Sequence, residues 1–94
     1  IEESFTADGV KLFQNYPNPF NPSTSISFSL DRTSEIRLTV LNSKGEFVSE
    51  LYSGNLNSGT HSYEFNAQDL NSGIYFYSLE YNGKKLVNKM LLIK

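Results

Sequence analysis

All three prolines of this 94-residue chain lie in one short stretch, Asn15-Tyr16-Pro17-Asn18-Pro19-Phe20-Asn21-Pro22. Each pyrrolidine ring fixes its own φ near about −65° and removes a main-chain donor. Each also drives the residue before it, here Tyr16, Asn18 and Asn21, out of the helical region. The stretch can be neither a helix nor a central strand, and it reads as a stiff, extended crossing between two strands. Asn18 and Asn21 suit Asx-turns that satisfy groups the prolines leave unpaired. Tyr16 and Phe20 are the apolar anchors expected to pin the crossing to a core.

On either side of the crossing the hydrophobic period is two. Val10 to Phe13 makes a short first strand. Ile26, Phe28 and Leu30 alternate with serines, and Ile36, Leu38 and Val40 alternate with Glu35, Arg37 and Thr39. Each pattern gives a strand with one face in a core and one in water. Gly45, within Ser43-Lys44-Gly45-Glu46, marks a turn that needs positive φ. Phe47, Val48, Leu51 and Tyr52 read as a strand with a bulge. His61, Tyr63 and Phe65 alternate in the next one. Ile74 to Tyr81 is apolar on both faces and reads as a central strand. Asn82-Gly83 then forms a type I′ hairpin to the last strand, Lys85 to Ile93. Leu56-Asn57-Ser58-Gly59 recurs as Leu70-Asn71-Ser72-Gly73, which gives two similar turns rather than a solenoid repeat. The fold class expected is all-β: an immunoglobulin-like antiparallel β-sandwich of about seven strands in one domain, residues 10–94. Residues 1–9, polar and acidic, read as a linker to an N-terminal protein, and Ile1 suggests an excised piece of a longer one.

The net charge is −2, with 8 Lys and Arg against 10 Asp and Glu, so no nucleic-acid partner is implied. The distribution is uneven. Glu2, Glu3 and Asp8 open the chain without a base, and Lys84, Lys85, Lys89 and Lys94 close it without an acid. Lysines on a last strand protect an edge against aggregation; alternatively they form a basic face for a partner. There is no cysteine, hence neither a disulfide nor a thiolate metal site. No apolar run approaches the ~20 residues of a membrane helix, so no membrane insertion is expected, and no secretory leader is visible.

Chemistry is sparsely signalled. His61 is the single histidine and lies on the apolar face of its strand, where packing is its expected role. No zinc spacing, EF-hand loop, Gly-x-Ser-x-Gly elbow or phosphate loop occurs. No catalytic residue, metal ligand or cofactor is expected, and the chain reads as a non-enzyme. Tyr75, Tyr77 and Tyr81 could offer an aromatic platform for sugars, but at period two beside Leu79 they read as core.

Taken together, the residues resemble a known family. Tyr16-Pro17-Asn18-Pro19-Phe20-Asn21-Pro22-Ser23-Thr24 with Ile26 to Leu30, then Val40-Leu41-Asn42 with Gly45, Ser72-Gly73-Ile74-Tyr75-Phe76-Tyr77-Ser78-Leu79, and Lys89-Met90-Leu91-Leu92-Ile93-Lys94 are similar, in order, to the C-terminal sorting domains (type A) of the type IX, or Por, secretion system. A more distant likeness is to the immunoglobulin-like domain of flagellar hook-capping proteins. Two positions depart from the family's habit: Ser78, where Arg is frequent, and Leu41, where Tyr is.

The resemblance implies an address rather than a catalyst. The type IX translocon and its shuttle proteins would recognise the folded domain on a cargo that crosses the periplasm of a Gram-negative bacterium. A sortase-like cysteine peptidase would cut within residues 1–9 and pass the N-terminal cargo to anionic lipopolysaccharide, leaving it secreted or on the cell surface. By position, Pro17, Asn18 and Pro19 would open the recognised set. Gly73 and Tyr75 would form its middle, and Lys89, Met90, Leu92 and Lys94 would close it. Gly73 is expected to relieve a turn where a Cβ would clash, and Tyr75 to enter the core just after it. The last strand is expected to be an edge open to β-augmentation, so that proline at Met90 or Leu92 would block export while a fused reporter folds normally. The reading from another class is a carbohydrate-binding or adhesion module of a cell-surface enzyme.

Overall fold

Strands of period two cannot bury their apolar faces alone, and here two sheets close on each other. The computed structural model describes residues 4–7 and 9–94. Its strands are β1 (Ser4–Ala7), β2 (Val10–Phe13), β3 (Ser23–Leu30), β4 (Ser34–Asn42), β5 (Phe47–Leu56), β6 (Gly59–Asn66), β7 (Gly73–Tyr81) and β8 (Lys84–Leu92). One sheet runs β1-β2-β3-β6 and the other β5-β4-β7-β8, all neighbours antiparallel. β2 to β8 are the strands the sequence predicts, arranged as an immunoglobulin-like sandwich. The segment read as linker also contributes β1. Ala7 pairs with Val10, and Gly9 between them takes φ 79°. Asp8-Gly9 is the dipeptide that signals such a reversal.

The alternation decides what is inside. Ile26, Phe28 and Leu30 on β3 and Ile36, Leu38 and Val40 on β4 are all buried. They meet Tyr75, Tyr77, Leu79 and Tyr81 of β7 and Met90 and Leu92 of β8 in one core. Each such side chain contributes roughly 1.5–3 kcal/mol when fully buried. The β4–β5 ladder slips at Leu38/Thr39 and Val40/Leu41, which explains the irregular period of β5. The Asn82-Gly83 turn has φ 48° and 75°, both positive as type I′ requires. The repeated Leu-Asn-Ser-Gly turns end at Gly59 and Gly73, which have φ 124° and 150° and begin β6 and β7.

Candidate functional site

Three sequence segments far apart in the chain meet at one end of the sandwich: the proline crossing, the start of β7 and the C-terminal half of β8. Main-chain bonds seat the crossing first. Tyr16 exchanges bonds with Ser25 (3.0 and 2.9 Å), and Phe20 N donates to Leu91 O while Ile93 N donates to Phe20 O, each at 3.0 Å. Phe20 makes a parallel bridge with Leu92, so the crossing acts as a short extra strand along the edge of β8. The Phe20 ring is buried and meets Phe65 edge-on at 6.2 Å. Tyr16, by contrast, is 81% exposed. The expectation that its ring anchors the crossing is wrong, because the Tyr16 main chain makes the attachment and leaves the ring in solvent.

Side chains then lock the contact. Asn18 Oδ1 accepts from Leu91 N at 3.0 Å, and Gln14 Nε2 donates to Lys89 O at 2.9 Å. Asn18 therefore satisfies a strand edge across the fold rather than a neighbouring residue in an Asx-turn. Asn15 performs the local service instead: its Nδ2 donates to Pro17 O and Thr24 Oγ1, and Thr24 Oγ1 donates to Pro17 O.

Beneath lies a buried hub, the Tyr77 hydroxyl. It donates to Phe13 O at 2.6 Å and accepts from Asn15 N and from Asn88 Nδ2. Burial disfavours the phenolate and pushes the Tyr77 hydroxyl up to about 12, although the bonds from Asn15 and Asn88 favour the anion and offset part of the effect. The hydroxyl thus stays protonated and keeps its donor. Asn15 and Asn88 are both buried, and sequence reasoning passed over both. A signal existed for Asn88: it is the one amide in the inward column Leu86, Asn88, Met90, Leu92, and a lone polar group in such a column needs a partner.

The remaining residues that the resemblance singles out fall on both sides of the surface. Pro17, Pro19 and Lys89 are exposed with Asn18. The Lys94 ammonium donates to Gln68 O and, at 2.8 Å, to Leu70 O, and Lys94 N donates to Ser72 Oγ. Lys94 therefore fastens the loop before β7 as well as standing at the surface. Tyr75 is buried and its hydroxyl donates to Asn71 O four residues back, at 2.7 Å, in the manner of the tyrosine corner. For Gly73 the reason differs from the one expected: a Cβ there would meet nothing within 4 Å, and the φ of 150° is what excludes other residues.

Met90 and Leu92 are core residues at 1% and 0% exposure, with main chains paired to Tyr75 and Gly73. Proline at either would break the β7–β8 ladder and the packing together, so it would unfold the end of the domain rather than test recognition alone. The last strand is likewise not an open edge along its length, because the crossing covers Lys89 to Ile93.

Among the described residues no cluster of His, Cys, Asp and Glu could hold a metal ion. His61 is half-buried against Phe28, its ring centroid 5.7 Å away, with Nε2 bonded to Asn57 O. Tyr75, Tyr77 and Tyr81, which a sugar platform would need, lie inside the core.

The fold and its sealed end define a β-sandwich domain whose conspicuous surface is the junction between an opening proline segment and a closing strand. Residues 14–94 match the family described as the secretion system C-terminal sorting domain, and the chain belongs to that family. It is a C-terminal sorting signal of type IX secretion, which directs an attached cargo to export, to the cell surface or the medium. A sorting-signal domain is not itself a catalyst. No curated protein matches the chain.

Proposed function

We propose that the sealed end is the face by which the export machinery distinguishes a folded signal from an unfinished one. The translocon and its shuttle proteins read Pro17, Asn18, Pro19, Lys89 and Lys94, which stand at the surface. Gly73, Tyr75, Met90 and Leu92 hold that surface in shape from behind. After passage through the periplasm of a Gram-negative host, a sortase-like cysteine peptidase cuts within residues 1–9 and transfers the cargo to lipopolysaccharide. β1 is an edge strand that pairs with β2 in its sheet and packs against β8 of the other, so drawing it away for cleavage uncovers that side of β8 and leaves the remaining strand pairing intact. The observation that carries this reading is the bond between Asn18 and Leu91, which ties the first matched segment to the last across 73 residues.

The test is a fusion of residues 1–94 behind a periplasm-targeted fluorescent protein in a host with a working type IX system. Translocon-dependent fluorescence at the surface or in the medium is expected. Deletion of Lys89 to Lys94 removes core residues as well as the surface, so Pro17→Ser and Lys94→Ala variants, which keep the core, accompany it. Wild-type fluorescence held in the periplasm by a folded domain would overturn the reading.

A further inference from the structure

In the β7–β8 pair the even-numbered residues of β8 bond to β7, and the odd-numbered residues turn their main chain outward. The outward groups divide sharply at Lys89. Beyond it, Lys89 O, Leu91 N, Leu91 O and Ile93 N are all taken by Gln14, Asn18 and Phe20. Lys89 N is taken by Asn88 Oδ1. Before it, no described residue meets the N–H and C=O of Lys85 or of Val87. Among the described residues that leaves a short length of edge without main-chain partners, although β1 of the facing sheet also packs against β8. On its solvent face Val87, 42% exposed, stands between Lys85 and Lys89. Across the ladder Glu80 lies opposite Lys85 and the buried Ser78 opposite Val87, while Phe76 lies opposite Lys89 and Ile74, 36% exposed, opposite Leu91, so the apolar neighbour of Val87 on β7 is the diagonal Phe76.

We propose that this edge, Lys85 to Val87, receives an extended strand of a partner whose side chains on the solvent face run acidic, apolar, acidic. The proposal deepens the sorting reading and rests on it. A strand added about 4.8 Å away gains main-chain bonds from Lys85 and Val87. Its side chains then lie opposite Lys85, Val87 and Lys89, so two acids meet the lysines and an apolar residue covers Val87. A second copy of β8 would set lysine against lysine and is disfavoured. The sealed half fixes the register, because an incoming strand cannot pair beyond Lys89.

The probe is a fluorescein-labelled peptide in which Glu, Val and Glu occupy alternate positions between threonines, with a Lys-Val-Lys counterpart, tested on the 94-residue chain by anisotropy and amide NMR. Binding of the acidic peptide, with shifts centred on the Lys85 and Val87 amides and absent for the basic peptide, is expected. Val87→Pro removes only an outward N–H and should weaken binding by about tenfold or more with an unchanged fold. Should that variant unfold, the double charge reversal K85E/K89E leaves the core alone and should reverse the preference between the two peptides. Shifts centred elsewhere, equal binding of both peptides, or competition by anionic lipid vesicles would overturn the proposal. The fusion assay separates the two readings. A wild-type fusion that is exported, with K85E/K89E exported equally, sinks the edge and spares the sorting signal. A wild-type fusion that is not exported sinks the sorting signal, and the peptide arm still decides the edge.

Discussion

The two halves of β8 are built from similar residues and share one partner, β7, yet they present opposite surfaces. From Lys89 onward the outward main chain is consumed by Gln14, Asn18 and Phe20. At Lys85 and Val87 no described residue meets it. Strand propensity cannot make this difference, since both halves alternate in the same way. It comes from the proline segment, which has lost main-chain donors of its own and so presents the side chains of Gln14 and Asn18, and the free main chain of Phe20, to a neighbour. A single strand is thereby closed for stability at one end and available for recognition at the other.

The sharpest way to break the contrast is Phe20→Ala. It empties a buried site at 2% exposure, removes the edge-on contact with Phe65 and unseats the crossing. A loss of about 3–5 kcal/mol is expected, read by denaturant unfolding, with exchange at the Leu91 and Ile93 amides rising to that of Val87. A smaller loss, about 1–3 kcal/mol, is expected for Tyr77→Phe, which strands Phe13 O and the donors of Asn15 and Asn88.

The pH dependence of Tyr77 sharpens that second comparison. Its folded value of about 12 lies above the ordinary 10 of the unfolded chain. The stability this hydroxyl contributes is therefore complete below pH 10 and is lost as pH rises from there through about 12. Alkaline titration of the unfolding midpoint should show that decline in the wild type and a shallower one in Tyr77→Phe. Asn18→Ala is finer still. It should cost about 1 kcal/mol or less, because water can replace the lost acceptor at an exposed edge, while exchange quickens at Leu91 and stays unchanged at Val87. Lys94→Ala should have the smallest effect on the midpoint, with the change confined to amides of the 68–72 loop whose carbonyls the ammonium holds.

The sandwich was readable because alternation is a local property. Ile26, Phe28, Leu30, Ile36, Leu38 and Val40 were expected inside and are there, and Asn82-Gly83 turns as its residues demand. The sealed end was not readable in the same way. The prolines announced a crossing, but nothing in the stretch says that Asn18 will meet Leu91 rather than its neighbours, since the asparagine side chain serves either purpose. Tyr16 misled because its aromatic ring suggests burial while its backbone makes the attachment. Gly73 misled in mechanism only: crowding and positive φ both call for glycine, and the open space around it with φ 150° leaves the second as the reason. Asp8-Gly9 carried a hairpin signal that the acidic composition around it obscured.

The bonds of Gln14 to Lys89, Asn15 to Tyr77 and Asn18 to Leu91 span 75, 62 and 73 residues. During synthesis these three long-range partners are made well after the crossing that grips them. A nascent or prematurely terminated chain holds the prolines and most of the strands but has no junction to display. Translation thus times the junction: it can close only when Lys89, Leu91 and Ile93 have left the ribosome, long after the prolines they meet.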